Sequence, residues 1–97
     1  MPEYRLSNAA VADIETIGME GVGQFGFAQA LKYHAGLESR FELIAQFPRI
    51  GHPAYDLEPG LYQFLYRSHM IFYMIEPDHV LVARVLNARY DFKRHFR

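Results

Sequence analysis

The chain has no cysteine among its 97 residues. That excludes disulfide scaffolds, thiolate metal sites and a cysteine nucleophile, and it fits a reducing compartment. A long apolar run is missing too. Charged residues break every hydrophobic stretch before ~18 apolar residues accumulate, and the opening MPEYRLSN carries no apolar signal segment. The expectation is a soluble, cytoplasmic protein with no membrane partner. Charge of one sign is also lacking: ten Lys plus Arg face eleven Asp plus Glu, for a formal −1. Strong direct nucleic-acid binding by the chain alone is therefore not expected.

Motifs for common chemistries are scarce. The five histidines lie ten or more residues apart, with no HxH, HExxH or helical i, i+4 pair, so no metal is expected. The serines, Ser7, Ser39 and Ser68, include no GxSxG elbow. Asp56 and Glu58 fall in a loop, where carboxylates are solvated. The glycines at 18, 21, 23 and 26 form no phosphate loop, since no GKS or GKT follows them. No cofactor is expected.

What is present is apolar material: 51% hydrophobic and 15% aromatic residues, enough for one packed domain over residues 1–97. Tyr4 to Leu6 reads as a short strand, and Ser7 or Asn8 as the cap of a first helix starting near Asn8. The glycine cluster predicts that this helix frays into a turn over Gly18 to Gly26. Phe27, Leu31, His34, Leu37, Phe41 and Ile44 form an amphipathic stripe from about Phe27 to Phe47, with His34 at the core edge and Pro48 as the stop. Pro48 to Gly60 holds three prolines and two glycines and reads as an irregular loop. Three β-rich runs follow: Leu61 to Tyr66, His69 to Glu76 and Val80 to Asn87. Arg67-Ser68 and Pro77-Asp78 mark the tight turns between them. The fold class is α+β, a helical hairpin packed on a mainly antiparallel sheet, in the order β-α-α-β-β-β with a short C-terminal tail or helix.

That tail concentrates cations: Arg84, Arg89, Lys93, Arg94 and Arg97 face only Asp91. With Phe92 and Phe96 beside them, the pattern suits a recognition surface, since arginine and aromatic anchors are enriched at interfaces. A second candidate is a metal-free ribonuclease set, which needs a base, a cation for the phosphate and an acid. Arg67, His69, Tyr73, Arg84, Arg89, Tyr90 and His95 have suitable types. Aromatic cross-strand pairing explains several of them without any chemistry.

Several segments together resemble a known family. They are YRLSNAAVADIETI, LESRFELIAQFPRIGHPAYDLEPGLYQF and SHMIFYMIEPDHVLVARVLNARYDF, with FPRIGHP, DLEPGL, HMIFY and RVLNARYD as their more specific parts. In order and spacing they look like the ParE toxins of the RelE/ParE toxin–antitoxin superfamily, over nearly the whole chain. The resemblance implies the fold just described in a bacterial growth-arrest toxin associated with plasmid stabilisation. It further implies hetero-oligomeric neutralisation by a ParD-like antitoxin and DNA gyrase as target. The tail, read above as a recognition surface, would then carry the target contact at Arg84, Arg89, Tyr90, Asp91, Arg94 and His95. The antitoxin would meet Tyr4, Leu6, Ile14, Ile17 and Phe25. RelE relatives instead cut messenger RNA on the ribosome, and for that alternative Arg67, His69, Tyr73, Arg89 and Tyr90 are the candidates. No lysine lies between Pro48 and Asn87, where such nucleases usually carry them. A toxin-like protein without activity, kept as an antitoxin-bound scaffold, is the third option. IGMEGVGQFGF (Ile17 to Phe27) departs from the family pattern in its four glycines.

Overall fold

In the computed structural model, residues 3–96 are described. Arg97, counted above with the basic tail, lies outside them. The elements are β1 (Tyr4–Leu6), α1 (Asn8–Phe25), α2 (Phe27–Gln46), β2 (His52–Pro53), β3 (Leu61–Tyr66), β4 (His69–Ile75), β5 (Val80–Asn87) and a final 3-10 turn, Phe92–His95. The sheet order is β1-β5-β4-β3-β2. All neighbours are antiparallel except β1 and β5, which run parallel. A parallel pair needs a crossover, and here the helical hairpin supplies it. The loop expected over Pro48 to Gly60 contains β2, paired through His52 to Gln63 and Pro53 to Tyr62.

Ser7 caps α1, its hydroxyl accepting from the Ala10 N–H at 3.0 Å. The predicted fraying of α1 does not occur. The helix runs through Gly18, Gly21 and Gly23 to Phe25, and only Gly26, at φ 87°, makes the turn. Each interior glycine costs roughly 1 kcal/mol relative to alanine, but packing on α2 and β5 outweighs that local preference. At Gly21 a Cβ would lie 3.5 Å from the Ala30 Cβ. At Gly18 and Gly23 it would meet nothing.

The α2 stripe is half right. Leu37, Phe41 and Ile44 are buried, whereas Phe27 and Leu31 are exposed. His34 is also exposed, within 3.6 Å of Glu38, and does not belong to the core edge. Tyr33 takes the inward place instead, packed against the core.

The sheet carries apolar clusters on both faces. The helix side holds Tyr62, Ile71, Tyr73, Val80, Val82 and Val85 with Leu37, Phe41 and Ile44. The other holds Leu61, Phe72 and Leu86, covered by Ala54, Leu57, Phe92 and Phe96. A β-bulge makes this division possible. Phe72 pairs with Arg84 but Tyr73 with Val82, leaving Ala83 as the extra residue. The shift keeps Val80, Val82 and Val85 toward the helices and turns Leu86 to the opposite face.

Candidate functional site

The C-terminal segment is folded against its own sheet. Phe92 and Phe96 both meet Phe72 edge-on, with ring centroids 4.9 and 4.8 Å away. These two phenylalanines, expected to dock on a partner, dock on the chain itself, because Phe72 would otherwise lie bare on the face away from the helices. Asp91 caps the 3-10 turn, accepting from the Lys93 N–H, and the Asn87 side chain accepts from the Arg89 N–H. With the phenylalanines turned inward, the polar residues of the segment face solvent. Tyr90, half exposed, stacks on His95 at 5.8 Å. Arg94 lies 4.0 Å from Asp91. Arg89, Tyr90, Asp91, Arg94 and His95 thus share one braced, exposed cap.

Arg84 stands apart from that cap. Its guanidinium donates to Asp13 of α1 through two nitrogens, each at 2.8 Å. The same carboxylate accepts from the Val85 N–H at 2.9 Å. Only 24% of the Arg84 side chain and 12% of the Asp13 side chain are exposed. The Asp13 hydrogen bonds hold the guanidinium pKa above its already high value, against the opposing effect of burial. Arg84, expected at the target contact, is a fastener between α1 and the bulged part of β5.

At the end of the sheet where β3 turns into β4, the helical hairpin reaches beyond the strands. An open groove of about 760 Å³ lies under this overhang. Ile14, Ile17, Phe25, Ala30 and Leu37 give it an apolar side, while Glu20, Arg67, His69 and Arg89 reach it from the rim. Three of the five residues assigned to the antitoxin (Ile14, Ile17 and Phe25) meet there. Tyr4 and Leu6 do not. They lie on β1, half-buried, with Tyr4 5.3 Å from the Phe41 ring beside a separate shallow depression.

His69 sits in the wall of the groove, its Nδ1 2.7 Å from the Tyr33 hydroxyl. Ser68 Oγ and the Tyr66 carbonyl lie 3.4 and 3.3 Å from that hydroxyl. Burial lowers the His69 pKa, with the Glu20 carboxylate pulling weakly the other way. The imidazole is neutral near pH 7, and this cluster ties α2 to the β3–β4 turn.

Tyr73 leaves the ribonuclease set. It is fully buried, donating to the Pro48 carbonyl at 2.7 Å and accepting from the Gly51 N–H at 3.0 Å. Burial raises its pKa, offset in part by the Gly51 bond. It staples the FPRIGHP turn to the sheet and is closed to any substrate. Arg67, His69 and Arg89 do border one groove, but Tyr90 turns toward His95 in the cap. Tyr33 and Asp13 went unnoticed in the sequence. Tyr33 had a signal, since it shares i, i+4 spacing with Leu37 and Phe41. Asp13 had none, for its partner lies 71 residues away.

Comparison with known proteins decides what this architecture is. Residues 4–92 match the family model described as the ParE toxin of the type II toxin-antitoxin system, parDE. The chain belongs to the ParE toxin family. Toxin ParE1 of Caulobacter vibrioides is 33% identical over 95 residues, 98% of each chain. Toxin ParE1 of Mycobacterium tuberculosis is 33% identical over 93 residues, 95% of each. A solved structure titled "Chromosomal ParDE TA system from P. aeruginosa" has the same fold. It aligns at a TM-score of 0.77 and 19% identity, covering 90% of this chain and 96% of that one. For this ParE-family chain, no helix among the described residues is long and apolar enough to cross a membrane.

Proposed function

We propose that this ParE-family toxin inhibits DNA gyrase by binding it through the C-terminal cap, and that a ParD-like antitoxin neutralises it in the cytoplasm. The observation that carries the target contact is the anchoring of Phe92 and Phe96 on Phe72. It fixes Arg89, Tyr90, Asp91, Arg94 and His95 before any partner arrives, so little ordering entropy opposes binding. Tyrosine and arginine are the types that dominate interface energetics. The antitoxin segment lies along the overhang groove on Ile14, Ile17 and Phe25. Burial of that apolar wall offsets the cost of ordering an otherwise disordered chain.

The test is gyrase supercoiling in the presence of purified protein at micromolar excess. Inhibition is expected, with a tenfold or greater loss in a Tyr90→Ala/Arg94→Ala variant whose melting temperature is unchanged. Undiminished supercoiling removes gyrase as the target. Cleaved transcripts during growth arrest would point to RNA cleavage instead, and harmless expression without antitoxin to an inactive scaffold.

A further inference from the structure

Tyr66 ends β3 with two arginines over its ring. The Arg40 guanidinium carbon lies 5.0 Å from the ring centroid and that of Arg67 5.7 Å. Stacked guanidiniums keep their N–H edges available for a partner. Among the described residues, neither has a carboxylate within 4.0 Å. Their mount is rigid. Tyr66 is buried, Tyr33 packs on it at 5.2 Å, and a Cβ at Gly36 would run into its hydroxyl and Cζ.

Arg67 adds an independent observation. Its φ of 51° makes it the one non-glycine residue of positive φ among those described. It occupies the first position of the two-residue turn joining Tyr66 to His69. That position in a hairpin favours glycine, and an L side chain there costs on the order of 1–2 kcal/mol. An arginine held at such a cost points to use of its side chain. Arg67 also borders the overhang groove, so the Tyr66 seam adjoins that groove through Arg67.

We propose that the Arg40–Tyr66–Arg67 seam is an acidic-peptide subsite. There a carboxylate of the protein segment leaving the groove is held between the two guanidiniums. This rests on the groove being the antitoxin's. The favoured ligand is an acidic peptide over nucleic acid because the seam adjoins, through Arg67, an apolar wall suited to peptide side chains.

The test titrates the whole isotope-labelled protein with hexaglutamate at low salt and follows the arginine side-chain Nε–H signals by NMR. Shifts at Arg40 and Arg67 are expected. Binding should weaken at least threefold in Arg40→Gln and in Arg67→Gln, and remain unchanged in Lys32→Gln. Absence of shifts at millimolar peptide overturns the proposal. So does stronger binding of a short DNA duplex through the same two arginines. Gly18 also lines the groove, so a groove-filling Gly18→Phe variant separates the two assignments: it should block antitoxin and leave hexaglutamate binding intact. If Gly18→Phe binds antitoxin normally, the groove assignment fails and with it the occupant named here, whereas absent hexaglutamate shifts overturn the subsite alone.

Discussion

Replacing Asp13 by alanine tests how much of this fold depends on one contact between distant parts of the sequence. The carboxylate holds two Arg84 nitrogens at 2.8 Å and the Val85 N–H at 2.9 Å. Asp13→Ala strands a guanidinium and a backbone donor together. Breaking a fully buried pair costs ~3–5 kcal/mol. With 24% and 12% of the two side chains exposed, water compensates part of this, and about 2–3 kcal/mol remains. A chain of this size has a total stability of roughly 5–15 kcal/mol. Each kilocalorie lowers the melting temperature by about 4–8 °C in a small domain, so a fall of roughly 10–20 °C is expected by calorimetry or circular dichroism. Arg84→Met should cost less, because Asp13 keeps its bond to Val85. A double-mutant cycle should show a coupling of at least ~1 kcal/mol. At a temperature where Arg84→Met is fully folded, its target inhibition should equal that of the parent. A melting temperature within about 2 °C of the parent in Asp13→Ala would refute the account of the pair as a fastener. Lost inhibition in folded Arg84→Met would restore Arg84 to the target contact.

Other expectations follow from single contacts. Gly18→Ala adds a methyl where nothing lies within 4 Å, so it should raise stability by about 0.5–1 kcal/mol in denaturant unfolding. Gly36→Ala should lower it by about 1–3 kcal/mol, because the new Cβ meets the held Tyr66 ring. For His69, burial puts the folded pKa below the ordinary value of about 6.5. The unfolded chain therefore binds the proton more readily. The stability this contributes is complete above about pH 6.5 and is lost as pH falls through the folded value. His69→Gln should flatten that part of the pH–stability curve, and an unchanged slope would count against the assignment.

Much of the fold was legible because its signals are local. Alternation and β-branched or aromatic residues mark β3 to β5 almost to the residue, and a three-to-four spacing marks α2. The glycine cluster misled for the same reason. Helix propensity is a local quantity, whereas α1 persists through Gly18 and Gly23 because it packs on α2 and β5. Likewise the helical stripe could not reveal that Phe27 and Leu31 overhang the strands and find nothing to pack against.

The sequence by itself determined the class of fold and the aromatic, cationic character of the C-terminal segment, properties of composition and of short spacings, while its segments carried the resemblance to the family. The tertiary structure alone decided which of those residues are available. It fastened Arg84 to Asp13, buried Tyr73 in the Pro48–Gly51 turn, and turned Phe92 and Phe96 inward so that Tyr90, Arg94 and His95 face out. It also set Arg40 and Arg67 on one ring. The physical reason is common to all four. A side chain's availability depends on hydrogen-bond and packing partners that lie tens of residues away, and only chain folding brings them within 3–6 Å.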